Sequence, residues 1–325
     1  MRLKRWVDRW NAYWYPTTST LNLGLCRILA VAAQLFLFRP RLDYQIDLLE
    51  KNSAFIDPQP IIRAITAVVS REVFFTRPVF TALYCLFVVA GIAALIGIFT
   101  RASLLFFALV NLILISHNYS YADVHHREAL FAIFLTLLAL SPAGESLSVD
   151  SLIRRRRERW VSGSMGVAGR ADTAMWPLKL THVLLAMTYF STGITKLLSG
   201  GLRWINGYTL QIDLFSDAMA RNRPLGIWLA GHHTLCVLLS VATILFELFF
   251  FVSLLLPRAA PFFFLSGMLF HTGLFITAGH PFFEHIFLNG LLLLFLDPEW
   301  FQTWLHKLDS RLSQWRGDGR AHQPS

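Results

Sequence analysis

YFSTGITKLLSGGLRWINGY, residues 189–208, is the stretch around which the rest of the chain is read. It begins inside an apolar run, Leu180 to Leu198, that carries one lysine, Lys196, close to its end. A Gly-Gly break follows, and then Arg203-Trp204-Ile205-Asn206-Gly207. A lysine among apolar residues near a membrane face is costly unless it snorkels to water or has a function. Chemistry is therefore sought first at Lys196.

The composition supports a membrane setting. Of 325 residues, 55% are hydrophobic and 14% aromatic, while only 15% are charged; soluble domains carry about 25% charged residues. Apolar runs long enough to cross a bilayer recur along the chain. A membrane β-barrel would instead alternate short segments. The expectation is an all-α, polytopic transmembrane bundle of about eight spans, at 21–38, 79–99, 102–116, 128–141, 180–198, 235–256, 260–278 and 282–297. Cys26, Cys85 and Cys236 sit in or beside apolar runs without paired spacing, so they read as small core residues.

Outside the spans, residues 1–20 read as an interfacial amphipathic segment. Trp6, Trp10 and Trp14 fall on one helical face among Lys4, Arg5 and Arg9. Residues 39–78, rich in proline, read as a loop with a short amphipathic helix over Ile61 to Phe75. Residues 142–178 carry Arg154 to Arg157 and form a basic loop suited to lipid headgroups. A transmembrane domain over 21–304 is thus followed by a polar tail, 305–325. More Lys and Arg fall on the face with the N-terminus, Arg101, the 142–178 loop, Arg258 and the tail than on the other. The positive-inside rule then places both termini in the cytoplasm.

Three polar clusters fall on the opposite face. One runs from Ser116 to Glu128 and holds His117, His125 and His126; the second is Lys196 with Arg203 and Trp204; the third is His271, His280, Glu284 and His285. Glu247 lies deeper. Each has a plain alternative: Lys196 as a snorkelling residue, His271 as a hydrogen-bonded bundle histidine, Glu247 as an ion-pair partner of Arg27. Convergence of an amine, imidazoles and carboxylates on one face favours a site where a lysine can act as general base. Metal is the weaker reading, because adjacent histidines on a helix point apart and no HExxH occurs.

The order YFSTGITKL…W..GY, the segment LSPAGESLSVD, Glu247 upstream of MLFHTGLF, and the closing DPEW (297–300) resemble the membrane domain of vitamin K-dependent γ-glutamyl carboxylases and the wider horizontally transferred transmembrane (HTTM) domain family. The similarity spans roughly residues 20 to 300. It implies that Lys196 is the base that deprotonates a reduced quinone, and that His126, with His125 as its neighbour, and His271 belong to the reaction site. In that family, quinone oxygenation drives carbon dioxide addition to glutamate. The carboxylases often carry Lys-Lys where this chain has Thr195-Lys196, and they carry a β-rich domain after the membrane part.

The expectation is an integral membrane protein, of a bacterial inner membrane, that handles a vitamin K-like quinol or another lipid-soluble substrate. Lys196, His126 and His271 would be catalytic; His125, Tyr189, Trp204 and Glu247 would bind substrate. Membrane lipids and a membrane or periplasmic protein are the expected partners, and nucleic acid is not. The alternative is a non-enzymatic protein that binds lipid or quinone beside a separate oxidoreductase. A transporter would need internal repeats, and none is evident.

Overall fold

Prolines set several helix starts. With its fixed φ and no amide hydrogen, proline suits the first helical turn, and Pro60, Pro78, Pro177, Pro224 and Pro261 each stand there. The computed structural model describes residues 2–16, 18–51, 56–121, 126–162, 170–171 and 175–296. Its helices are α1 (Arg2–Trp14), α2 (Leu21–Phe36), α3 (Leu42–Leu49), α4 (Pro60–Thr66), α5 (Arg71–Phe74), α6 (Arg77–Ile96), α7 (Thr100–Tyr119), α8 (His126–Leu140), α9 (Val149–Ser162), α10 (Trp176–Gly200), α11 (Tyr208–Ala220), α12 (Pro224–Ala230), α13 (His233–Phe249), α14 (Val252–Leu255), α15 (Ala260–Ala278) and α16 (Phe283–Phe295). One two-residue antiparallel pairing, Thr18–Ser19 with Arg170–Ala171, ties the N-terminal region to the long loop.

The protein is an all-α polytopic bundle. Each expected span falls on a helix. Among the described residues, α6, α7, His233–Leu255 and Pro257–Ala278 are long and apolar enough to cross a membrane, with α2 and α16 as shorter apolar helices. Many large apolar side chains on these helices point outward, including Leu86, Val89, Phe106, Leu238 and Leu269. In water such a surface would drive aggregation; in a bilayer it is the solvated face. The enclosed core is aromatic and aliphatic, with Phe80, Phe87, Phe107, Phe131, Phe134, Phe250 and Phe264 almost fully buried.

Two segments read as loops are partly helical, and the single helix expected over Ile61 to Phe75 is broken into α4 and α5. Residues 39–78 hold α3, α4 and α5, and the basic 142–178 stretch holds α9. Residues between α10 and α13 form α11 and α12, which sit beside α13 and α15.

The LSPAGESLSVD segment is a polar clamp at one end of the bundle. Asp150 accepts hydrogen bonds from the Phe99 amide (3.0 Å), the Thr100 amide (2.7 Å) and the Thr100 hydroxyl (2.7 Å), capping α7 from outside its own chain segment. Burial alone would raise the Asp150 carboxyl, but these hydrogen bonds outweigh it and hold the group below the ordinary carboxylate range. Arg27, fully buried in α2, donates to the Leu147 carbonyl at 2.5 Å, and the Thr20 and Ser146 hydroxyls meet at 2.5 Å. Arg27 is therefore held here, not by Glu247.

Candidate functional site

Gly193 precedes Lys196 by one helical turn, on the same side of α10. A Cβ at Gly193 would lie 3.1 Å from the Glu247 Cβ, so its absence lets α13 approach closely and bring Glu247 beside the lysine. The Lys196 ammonium pairs with both oxygens of the Glu247 carboxylate, at 2.6 Å to Oε2. Glu247 is 2% exposed, whereas 20% of the Lys196 side chain is accessible. At the end of α10, Gly201 takes a positive φ of 56° and starts a single 3-10 turn. That turn returns Trp204 over the lysine, with Nζ 5.0 Å from the ring centroid.

The pair opens into a cavity of about 280 Å³ bounded by α10, α11, α13, α15 and α16. At its inner end Tyr189 and His271, 3% and 5% exposed, share a 2.9 Å hydrogen bond between the phenol oxygen and Nε2. Asn289 Nδ2 donates to the same phenol oxygen at 3.0 Å and to the His285 carbonyl at 2.8 Å. With Asn289 as donor, the phenol oxygen still has a lone pair and its own hydrogen, so it can either donate to His271 Nε2 or accept from it, according to the histidine tautomer. The His285 ring lies 4.9 Å from that of His271. Phe270, Phe282, Leu210, Leu214 and Leu274 supply apolar wall.

The mouth carries acid. Asp213 and Asp217, one turn apart on α11, line the cavity with His280. Asp217 accepts from His280 Nε2 at 2.7 Å and from Arg221 at 2.5 Å. Burial would raise the Asp217 carboxyl, yet these two bonds hold it below the usual range; Asp213 is pushed up by burial and by Asp217, with His280 offsetting only part of this.

The cavity gathers Lys196, His271, Tyr189, Trp204 and Glu247, five of the residues singled out in the sequence. His125 lies outside the described residues. His126 opens α8, but its side chain is also outside them. His117 does not join: it is buried on α7, 2.7 Å from Gln45 Oε1 and 4.1 Å from the Phe80 ring. Glu284 is buried on α16 but does not line the cavity, whereas His280 and His285 do. Asp213, Asp217 and Asn289 were not singled out. The four-residue spacing of the aspartates and an asparagine four residues after His285 in an apolar helix were the available signals.

The HTTM domain matches residues 21–300, most of the chain. The chain belongs to the HTTM family. It is accordingly an integral membrane protein of the carboxylase-like family. No curated protein and no solved structure matches it. Within this HTTM chain the two most recognisable motifs divide their work: LSPAGESLSVD clamps helices together, and YFSTGITKL lines the cavity.

Proposed function

We propose that this HTTM protein deprotonates a quinol-like, lipid-soluble substrate in the Lys196 cavity. One observation carries the reading: an amine and a carboxylate, hydrogen-bonded to each other, face an apolar, aromatic-walled void. A purely structural ion pair needs no void beside it. At about 280 Å³ the cavity sits near the lower end of small-molecule sites, roughly 300–1,000 Å³, which suits one ring system with its tail left in lipid. Trp204 and Phe282 offer faces for such a ring, and Tyr189 and His271 offer hydrogen bonds to a ring oxygen.

A quinol would supply an acidic ring hydroxyl and, once ionised, reducing power toward dioxygen. The protein's part is to move one proton. Lys196 first passes a proton across the 2.6 Å contact to Glu247, leaving a free amine beside a neutral acid. The amine nitrogen then takes the substrate hydroxyl proton and becomes ammonium again, now next to protonated Glu247 and the new oxyanion. Tyr189, fixed by Asn289 and His271, holds the ring in place.

The excess of basic residues on the clamp side supports cytoplasmic termini, with the cavity opening to the other face. The test is dioxygen uptake by proteoliposomes supplied with a naphthoquinol, together with mass spectrometry of co-purifying quinones. Wild type should retain quinone and consume dioxygen, and Lys196→Ala should remain folded and do neither. Equal turnover in the folded variant would overturn the reading. Quinone retained by both without turnover would favour a binding partner of a separate oxidoreductase.

A further inference from the structure

A second cavity lies at the other end of the same helices. It is the larger, about 530 Å³, and is bounded by the start of α10, the α14–α15 turn, the end of α16 and Tyr13 of α1. Its walls are Phe264, Leu292, Leu293 and Leu296, and its rim holds two cations, Lys179 and Arg258. Among the described residues, no carboxylate lines it. Lys179 packs over the Tyr13 ring, 4.2 Å from the centroid, and donates to the Tyr13 carbonyl, which pins α1 beside the opening. Trp10 and Tyr13 of α1 are themselves exposed, as in a helix resting at a bilayer surface.

Its depth is set by α10. Lys179 and Lys196 are about 26 Å apart at 1.5 Å per residue, close to the thickness of a hydrocarbon core, about 30 Å. The Lys196 cavity therefore belongs to one leaflet and this one to the other. The leaflet it faces is the basic side of the protein, the side that meets anionic lipid. Two cations at headgroup level above an apolar channel complement a phosphate with an attached acyl chain.

We infer that this cavity is a binding site for one anionic phospholipid, its phosphate held by Lys179 and Arg258 and an acyl chain lying against Phe264, Leu292 and Leu296. His182 closes the floor: it is buried, and its Nε2 lies 2.7 Å from the Ser253 hydroxyl, so the chain end meets a polar group already satisfied. The site is separate from the Lys196 cavity and stands whether or not that cavity handles a quinol.

The experiment is native mass spectrometry of the full chain in mild detergent, after exchange into vesicles of phosphatidylglycerol and phosphatidylcholine mixed equally. Wild type should carry one phosphatidylglycerol through delipidation. The double variant Lys179→Ala/Arg258→Ala should hold it about thirtyfold more weakly, as expected for two basic contacts, and Lys179→Arg/Arg258→Lys should retain it. Equal retention by the double variant, or a wild-type preference for phosphatidylcholine, would overturn the inference. Should the double variant fail to fold, wild type alone decides it: phosphatidylglycerol with a photoreactive acyl chain should label Leu254–Phe264 and Leu292–Leu296. Labelling spread evenly over the lipid-facing helices, or no bound lipid because residues 297–325 fill the groove, would refute it.

Discussion

Two halves of the bundle both bury polar side chains and put them to different use. Around α2 and α7, Gln34 bonds Asn111 at 3.0 Å, His117 bonds Gln45 at 2.7 Å, and Arg27 bonds Leu147. His117 packs against the Phe80 ring, and none of these groups lines a described cavity, although voids open nearby at Asn118 and beside the clamp at Asp150. Around α10, α13, α15 and α16, Lys196, Glu247, Tyr189 and His271 are equally buried or nearly so, but they face a void. Buried polarity in a membrane bundle is therefore ambiguous by itself. The empty space beside it separates a site from a staple.

The comparison is sharpest at Lys196. On the proposed reading, Lys196→Ala should lower turnover by about 10²–10⁴-fold, the usual contribution of a general base, in the dioxygen-uptake assay. Circular dichroism should report an intact fold. Its counterpart in the other half is His117→Leu, which should lower thermal stability and leave turnover unchanged. If His117→Leu abolished turnover in folded protein, the division between the halves would fail.

Glu247→Leu leaves the lysine charge buried without its partner and should destabilise the protein by about 3–5 kcal/mol. Lys196→Met combined with Glu247→Leu should recover most of that loss while remaining inactive. A double variant no more stable than the single would mean that the pair does not carry the interaction drawn here. Chemical denaturation in detergent measures both.

Gly193→Val tests how the site is assembled. The added side chain meets Glu247 and Leu248 and should cost about 1–3 kcal/mol as overpacking, with turnover falling further than stability alone explains. In the clamp, Asp150→Asn should cost about 1–2 kcal/mol, the scale of a lost helix cap, with turnover per folded molecule unchanged. The smallest effect concerns the mouth. The folded-state pKa of Asp217 is depressed, so its contribution to stability is complete above the ordinary carboxylate range and fades as pH falls through the folded value. Asp217→Asn should flatten the acid limb of a melting-temperature profile.

Much of this was legible in the sequence because lipid imposes a simple grammar. Long apolar runs must be helices, and the positions of α6, α7, α13 and α15 follow from that alone. Lys196 stood out because a cation inside such a run needs an explanation. What was illegible depended on packing. Nothing in the order of residues distinguishes Glu247 paired with Lys196 from Glu247 paired with Arg27; the close approach at Gly193 and the clamp around Leu147 decide it. α11 escaped notice because a helix lying at the face has no long apolar run, and the acidic mouth went with it. His117 and His271 looked alike because sequence carries no record of voids.

The layer between the two cavities has an electrical consequence. From His182 to Tyr189 the inward residues are Leu185 and Ala186, faced by Phe250 and Phe264, all buried and apolar. None of these four side chains can carry a proton. On the proposed reading, a proton released from a substrate at Lys196 would return to the compartment on that side, and no charge would cross the membrane during a cycle. The reaction would then run at the same driving force in energised and de-energised cells, neither drawing on the membrane potential nor adding to it.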